Sequence, residues 1–145
     1  MRLVVQRVKR GRVSVDGRAI AEIGHGLVIL VGVADGDHAD QADYLAAKCA
    51  DLRIFDDPDG KMNLSVKDVG GEALVVSQFT LLGDTNKGRR PSFVHAAAPN
   101  LAEPLVERFA NQLSGTGIPT AMGQFGANML VEIDNDGPVT IVIEK

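Results

Sequence analysis

Leu27-Val28-Ile29-Leu30-Val31 is apolar at every position, whereas a strand exposed on one face would alternate between apolar and polar residues. A continuous apolar run of this length predicts a central strand that is covered on both faces of its sheet. Alternating segments precede it, and turns are expected at Asp16-Gly17 and at Gly24-His25-Gly26. The pattern predicts an antiparallel meander with strands over residues 2–8, 12–15, 19–23 and 27–33.

Two amphipathic helices are predicted after the meander. The first is expected from about His38 to Arg53 with Asp37 as its N-cap, because its apolar positions share one helical face. The second is expected to begin between Asn100 and Pro104, since proline is tolerated in a first turn, and to end near residues 114–115. The apolar stripe of the first helix comprises Ala42, Leu45, Ala46, Cys49 and Leu52.

These elements define the expected fold class. It is an α/β fold with a single domain over residues 1–145, mostly antiparallel or mixed β-sheets in a layered or barrel-like arrangement, and two main helices. A further buried strand at residues 73–76 and two or three strands at the end of the chain complete it. A length of 145 residues with 45% hydrophobic and 23% charged residues is ordinary for one globular domain.

Composition narrows the classes of function. No apolar run approaches the roughly 20 residues that span a bilayer, and the start of the chain turns polar too soon for a secretory signal. We therefore expect a cytoplasmic protein with no membrane partner. The net charge of -4 argues against a protein that coats nucleic acid but allows a small nucleic-acid footprint, and no DNA partner is expected. The single cysteine, Cys49, excludes an internal disulfide and a multi-cysteine zinc site, and is expected in the core.

The common cofactor and hydrolase motifs are absent. The chain has no Walker loop, no Rossmann glycine fingerprint, no His-Glu-x-x-His and no Gly-x-Ser-x-Gly elbow. The three histidines, His25, His38 and His95, lie in unrelated segments. The acidic turn at residues 56–60 lacks the glutamate and the flanking helices of an EF-hand. The residues alone therefore support neither a three-histidine metal site nor a calcium loop.

Ser77-Gln78-Phe79-Thr80-Leu81 places hydroxyls and an amide directly after a buried strand. Strand ends in open sheets often carry ligand-facing groups. Ser77 and Thr80 have no neighbouring His, Lys or Asp in the sequence that would activate them as nucleophiles. The backbone amides of this segment are better candidates, as donors to a developing oxyanion. A plain strand end and an active site are both compatible with these residues alone.

Gly137-Pro138 lies between two alternating runs, Met129 to Ile133 and Val139 to Ile143. A proline cannot donate to a strand ladder, so it is expected at an edge, a bulge or the first residue of a strand. One interpretation is a hairpin turn that ends one strand and starts the next. The other is a rigid backbone element that points carbonyl oxygens at a ligand.

Six blocks of sequence, taken in order, carry a resemblance to a known family. They are MRLVVQRV at 1–8, LRIFD at 52–56, SQFTL at 77–81, KGRRPSF at 87–93, GQFGANM at 123–129 and NDGPVT at 135–140. Their order and spacing closely resemble the D-aminoacyl-tRNA deacylase family across essentially the whole chain. The resemblance implies a homodimeric enzyme that hydrolyses the ester between a D-amino acid and the 3′ end of tRNA, without a metal or organic cofactor. It also implies action on glycine that is mischarged on tRNA-Ala.

The resemblance also implies the site. Ser77, Gln78, Phe79 and Thr80 form one wall, with RNA-assisted catalysis by the neighbouring ribose 2′-hydroxyl. Gly137 and Pro138, joined by a cis peptide, enter from the partner subunit and reject L-amino acids. The other implied site residues are the pocket-lining Phe125, Gly126 and Met129, and Arg7, which anchors the partner's Gly-Pro loop.

Two alternatives stay open at this point. One is the related editing module of archaeal threonyl-tRNA synthetases, which removes a wrong L-amino acid. The other is a non-catalytic RNA-binding dimer. In the favoured case few phosphates are contacted, and Lys87, Arg89 and Arg90 are the expected contributors. Val106 stands where the family often has an aromatic residue, and only a packing role is expected there.

Overall fold

The computed structural model describes residues 1–145 as eight strands, two α-helices and one short 3-10 helix. The strands are β1 Arg2–Val15, β2 Arg18–Ile23, β3 Gly26–Gly32, β4 Phe55–Asp56, β5 Met62–Leu64, β6 Glu72–Ser77, β7 Thr120–Met122 and β8 Met129–Glu144. The helices are α1 Ala39–Asp51 and α2 Pro99–Gly115, and the 3-10 helix spans Phe79–Leu82. Neither α1 nor α2 has the length and apolarity of a membrane-spanning helix.

The long strand β1 organises a six-stranded mixed sheet. One edge of β1 pairs with β3 along its first half and with β2 along its second half, both antiparallel. The other edge pairs antiparallel with β8 from Arg2↔Glu144 to Val15↔Met129. Strand β6 is parallel to β3, and β7 is parallel to β6. Because the sheet curls until β7 approaches β2, it forms a nearly closed, barrel-like layer.

The predicted meander is wrong in two places. Residues 2–8 and 12–15 belong to one strand, and β2 and β3 lie end to end along β1 instead of reversing at Gly24-His25-Gly26. Gly26 allows β3 and β6 to approach closely, because an added Cβ would lie 1.9 Å from the Glu72 carbonyl oxygen. Gly11 likewise lets β1 pass the Val28 side chain, which a Cβ would meet at 2.5 Å.

Two hydrophobic cores lie on the two faces of the sheet. The larger has 25 buried residues and fills the space between the sheet and both helices. The smaller lies inside the curled sheet and contains Val8, Val13, Ile23, Val28, Leu74 and Val76. Leu27, Ile29 and Val31 enter the larger core while Val28 enters the smaller, so the prediction of a central strand covered on both faces is confirmed. The predicted fold class is confirmed as well.

The helices lie close to their expected bounds. Helix α2 begins at Pro99 and ends at Gly115, and the stripe of α1 faces the larger core. The N-cap of α1 is His38 and not Asp37. The Asp37 carboxylate instead accepts from the Ala34 amide at 2.6 Å, which fixes the loop before the helix.

Strand β8 contains no hairpin turn, so that interpretation of Gly137-Pro138 is wrong. Gln6 pairs with Thr140 and Val8 with Asn135, and residues 136–139 therefore lie opposite Arg7 alone. This four-residue segment, called the Gly-Pro bulge below, interrupts the ladder without reversing the chain. The chain does not reverse because both flanks of the bulge pair with the same strand, β1.

Candidate active site

One wall of the candidate site is built where β6 ends. Residues 73–76 are buried between the two cores. The backbone N–H of Gln78 donates to the Val31 carbonyl at 2.7 Å, which fixes the chain as it leaves the sheet. The chain then turns into the 3-10 helix. Ser77 and Gln78 are half-buried, whereas Phe79 and Thr80 are exposed. The buried strand thus delivers a short polar segment to the surface in a fixed register.

The first amides of the 3-10 helix have no protein acceptor. The backbone N–H groups of Leu81 and Gly83 bond to the carbonyls of Gln78 and Thr80, but those of Phe79 and Thr80 make no hydrogen bond. This follows from helix geometry, because the first N–H groups of a helix lack a preceding carbonyl. The side chain of Gln78 donates from Nε2 to Thr80 Oγ1. Two adjacent amides are therefore free to donate to a ligand.

The opposite wall comes from the connection between β7 and β8. Gly126 has φ +72°, which favours glycine, and lets the chain turn there toward β8. A cavity of about 290 Å³ lies between the walls. Its lining residues are Val76, Ser77, Gln78, Phe79, Phe125, Gly126, Ala127, Asn128, Met129 and Val131. Of the predicted residues, all except Thr80, Arg7, Gly137 and Pro138 meet around this cavity, and Thr80 lies beside it on the 3-10 helix.

A second, smaller cavity of about 160 Å³ adjoins the first. Ser77 and Phe125 line both cavities. The remaining wall of the smaller cavity comes from Val75, Met122, Gly123 and the α2 residues Glu103, Val106 and Glu107. The sequence does not indicate this cavity, and it predicts only a packing role for Val106. No local pattern marks it, because its walls come from separate parts of the chain.

The ionisable groups around the larger cavity are few. None of its lining residues is a His, Lys, Asp or Glu. No three His, Cys, Asp or Glu side chains cluster closely enough to hold a metal ion. Burial raises the pKa of Cys49 to about 12, so this core thiol stays protonated at neutral pH. The larger cavity therefore offers backbone donors and no side-chain base.

The Gly-Pro bulge lies apart from both cavities of its own chain. Gly137 and Pro138 are exposed, their peptide bond is cis, and neither lines a cavity wall. Arg7 is only 7% exposed and holds the bulge, because its Nε donates to the Asp136 carbonyl at 3.0 Å. Its Nη1 donates to the Ile54 carbonyl at 2.9 Å. Arg7 thus anchors the bulge of its own chain, and a contact with a partner's bulge stays a prediction.

A family model described as D-Tyr-tRNA(Tyr) deacylase matches residues 4–144. The chain belongs to this deacylase family. A D-aminoacyl-tRNA deacylase of Roseiflexus castenholzii is 58% identical over 145 residues, covering 100% of this chain and 92% of the relative. One of Carboxydothermus hydrogenoformans is 58% identical over 144 residues, covering 99% of each chain. The resemblance carried by the six sequence blocks is confirmed.

Solved structures agree with the deacylase fold. A protein described as c-Myc DNA Unwinding Element Binding Protein superposes with a TM-score of 0.94 at 42% identity, covering 100% of this chain and 99% of that one. A probable eukaryotic D-amino acid tRNA deacylase superposes with a TM-score of 0.82 at 18% identity, covering 98% and 97%. The second likeness shows that the deacylase fold persists where the sequences have diverged.

Proposed function

We propose that this chain hydrolyses the ester bond between a D-amino acid and the 3′-terminal adenosine of tRNA, releasing the free amino acid and the tRNA. One observation carries the proposal: the two free amides of Phe79 and Thr80 stand beside the larger cavity in a chain of the deacylase family. Preorganised amides of this kind stabilise the oxyanion of acyl transfer. We also propose that the enzyme is cytoplasmic, because its substrate, an aminoacyl-tRNA, is used in translation in the cytoplasm.

The hydrolysis proceeds by attack of water on the ester carbonyl carbon. The carbonyl oxygen becomes an oxyanion that accepts from the Phe79 and Thr80 amides, and the bond to the ribose 3′ oxygen then breaks. The 3′ oxygen leaves with a proton. Because no side-chain base lines the larger cavity, the neighbouring ribose 2′-hydroxyl takes a proton from the attacking water and passes its own to the 3′ oxygen, which makes the catalysis RNA-assisted. Thr80 Oγ1 accepts a hydrogen bond from Gln78 Nε2 and helps to position the substrate without taking part in bond making.

The two adjoining cavities suit the two ends of this substrate. Ser77 and Phe125 line both, so the scissile ester is placed at their junction. The aminoacyl group occupies the larger cavity, with Gly126 and Met129 against it. The ribose of the terminal adenosine lies at the junction, toward the smaller cavity, whose lining includes Glu103 and Glu107. No metal or organic cofactor takes part in this scheme.

Chirality is read by the Gly-Pro bulge of a second copy of the chain. The exposed bulge reaches neither cavity of its own chain, and Arg7 holds it in position for another subunit. The Gly137 and Pro138 carbonyl oxygens accept from the substrate ammonium, leaving no space where an L side chain would project. An L-amino acid could enter only by moving its ammonium away from these carbonyls. Leaving a buried ammonium unpaired costs more free energy than a poor fit in an apolar pocket, so the bulge discriminates strongly between D and L substrates. Glycine has no side chain to reject, so glycine mischarged on tRNA-Ala is also a substrate.

The open edge of β8 supports a homodimer. This 16-residue strand pairs with β1 on one side only, and Leu130 and Val142 are exposed along it. A long strand edge with unpaired backbone groups and exposed apolar side chains readily pairs with another chain. Dimerisation is therefore part of the proposed site and not only a feature of the surface.

Purified protein incubated with D-tyrosyl-tRNA and with L-tyrosyl-tRNA tests the proposal. We expect rapid release of D-tyrosine and sparing of the L ester. The matched control is Ala127→Trp, which fills the larger cavity and abolishes release while leaving the fold intact by circular dichroism. Preferential release of L-tyrosine would indicate an editing module for wrong L-amino acids. RNA binding without release of either amino acid would indicate a non-catalytic RNA-binding dimer.

A further inference from the structure

An exposed loop grows out of the 3-10 helix that forms one wall of the larger cavity. Asp84 and Ser92 exchange two backbone hydrogen bonds, of 2.8 and 2.9 Å, which close residues 85–91 into a loop. The chain therefore returns to its starting point beside the cavity. Phe93, the first residue after the closure, packs edge-on against Phe79, with ring centroids 5.1 Å apart.

The Phe79 and Phe93 rings are exposed at the mouth of the cavity. Phe79 is 57% exposed and Phe93 is 37% exposed, although rings of this size are usually buried. Gly83 makes the pair possible, since an added Cβ would lie 3.0 Å from Phe93 Cε1. Exposed aromatic faces beside a binding cavity are suited to stacking a nucleobase.

The loop itself is strongly basic in a chain of net charge -4. Residues 85–91 carry Lys87, Arg89 and Arg90 and no carboxylate. None of the three cations forms an ion pair, and all three are exposed. The nearest carboxylate in sequence, Asp84, accepts from the Asn86 amide and side chain at 2.8 and 2.7 Å. Charge complementarity therefore favours a polyanion as the occupant.

We infer that the Phe79–Phe93 pair and loop 85–91, together called the aromatic-basic rim, bind the unpaired RNA nucleotides just upstream of the esterified adenosine. One base stacks on the rings, and Lys87, Arg89 and Arg90 contact phosphates. The inference rests on the proposed function, because the rim begins at Phe79 in the wall of the larger cavity and so lies next to the esterified end of the strand. Aromatic rings beside a positively charged path are the usual means of gripping a single strand.

Salt dependence of RNA binding tests the basic half of the rim. The probe is an RNA hairpin with an unpaired 3′ end that carries no amino acid, and its affinity is measured over a series of salt concentrations. The combined variant Lys87→Ala, Arg89→Ala, Arg90→Ala should lower the log-log slope by about 2, since each single-strand phosphate contact contributes about 0.7. The control Arg18→Ala, Lys48→Ala, Lys61→Ala removes the same charge from three exposed, unpaired positions and should leave the slope unchanged. Equal slopes for both variants would overturn the inference.

Abasic substitution tests the aromatic half. Each unpaired nucleotide upstream of the terminal adenosine is made abasic in turn, and binding is compared for the wild type and Phe93→Leu, which keeps an apolar contact with Phe79. One position should weaken wild-type binding on the order of tenfold and Phe93→Leu far less, because stacking on the ring is already lost. The same penalty in both proteins at every position would contradict stacking on this pair.

Two further measurements separate the rim from the proposed hydrolysis. The loop variant should raise KM for a D-tyrosyl RNA hairpin, keep its kcat, and leave hydrolysis of D-tyrosyl-adenosine unchanged. If the wild type hydrolyses neither substrate, the proposed function fails, and the binding slopes still decide whether the rim holds RNA. If the loop variant weakens self-association in sedimentation and leaves the RNA slope unchanged, the rim is a subunit contact and the inference is wrong.

Discussion

Gly137→Ala is expected to weaken chiral selection with a moderate loss of stability. Gly137 has φ +130°, a conformation that costs a residue with a side chain about 1–3 kcal/mol. The new Cβ would lie 2.9 Å from Val139 Cγ2 and 3.1 Å from Arg7 Nη2, so the Gly-Pro bulge must shift by tenths of an ångström. A loss of about 2 kcal/mol leaves the protein folded, since domains are stable by about 5–15 kcal/mol.

The assay compares kcat/KM on D-tyrosyl-tRNA and L-tyrosyl-tRNA, with unfolding in urea measured in parallel. Misplacing one carbonyl that accepts from the ammonium removes about 1.4 kcal/mol, so the D-to-L ratio should fall on the order of tenfold. Gly117→Ala is the matched control, because Gly117 has φ +95° with no atom within 4 Å of an added Cβ. It should lose stability and keep the ratio. An unchanged ratio in a destabilised Gly137→Ala would refute the role of the bulge.

Three further predictions concern single groups. Arg7→Lys should lower the unfolding free energy in urea by about 2–3 kcal/mol, because one ammonium cannot serve both the Asp136 and Ile54 carbonyls; no loss would contradict the anchoring role. The stability advantage of the wild type over Cys49→Ala should shrink by about 1.4 kcal/mol between pH 8 and 10, since the unfolded thiol ionises near 9.0 and the folded one near 12. A gap independent of pH would show that the thiol is not shielded. Thr80→Ala should retain most activity, whereas a substrate with a 2′-deoxyadenosine end should lose about 10²-fold or more, and the reverse pattern would exclude RNA assistance.

Local patterns predict the elements whose burial is decided by neighbouring residues. The run at residues 27–31 has apolar side chains for both faces, and the structure indeed covers both. The stripe from Ala42 to Leu52 has helical spacing and packs against the core. The six sequence blocks indicate the family because they are distributed over the whole chain in a fixed order. The match of the family model to residues 4–144 confirms this resemblance.

The errors arise where a residue's role depends on distant partners. Gly26 resembles a turn glycine in the sequence, but what it needs is room beside Glu72, which is 46 positions away. Gly137-Pro138 has the composition of a hairpin turn and becomes a bulge because β1 pairs on both sides of it. Asp37 has the character of an N-cap, but its carboxylate accepts from the Ala34 amide instead. The free amides of Phe79 and Thr80 are suggested by the strand end, whereas the second cavity has no local sign.

A mixed dimer tests most directly whether the Gly-Pro bulge acts in the neighbouring subunit. One subunit carries Ala127→Trp, which fills its cavity and leaves its Gly-Pro bulge intact, and the other carries Gly137→Ala with an intact cavity. If the bulge completes the site of the other subunit, the one open cavity receives an intact Gly137-Pro138. The mixed dimer should then hydrolyse D-tyrosyl-tRNA with wild-type selectivity against the L ester. Selectivity as poor as that of the Gly137→Ala homodimer would contradict a bulge that acts in the neighbouring subunit.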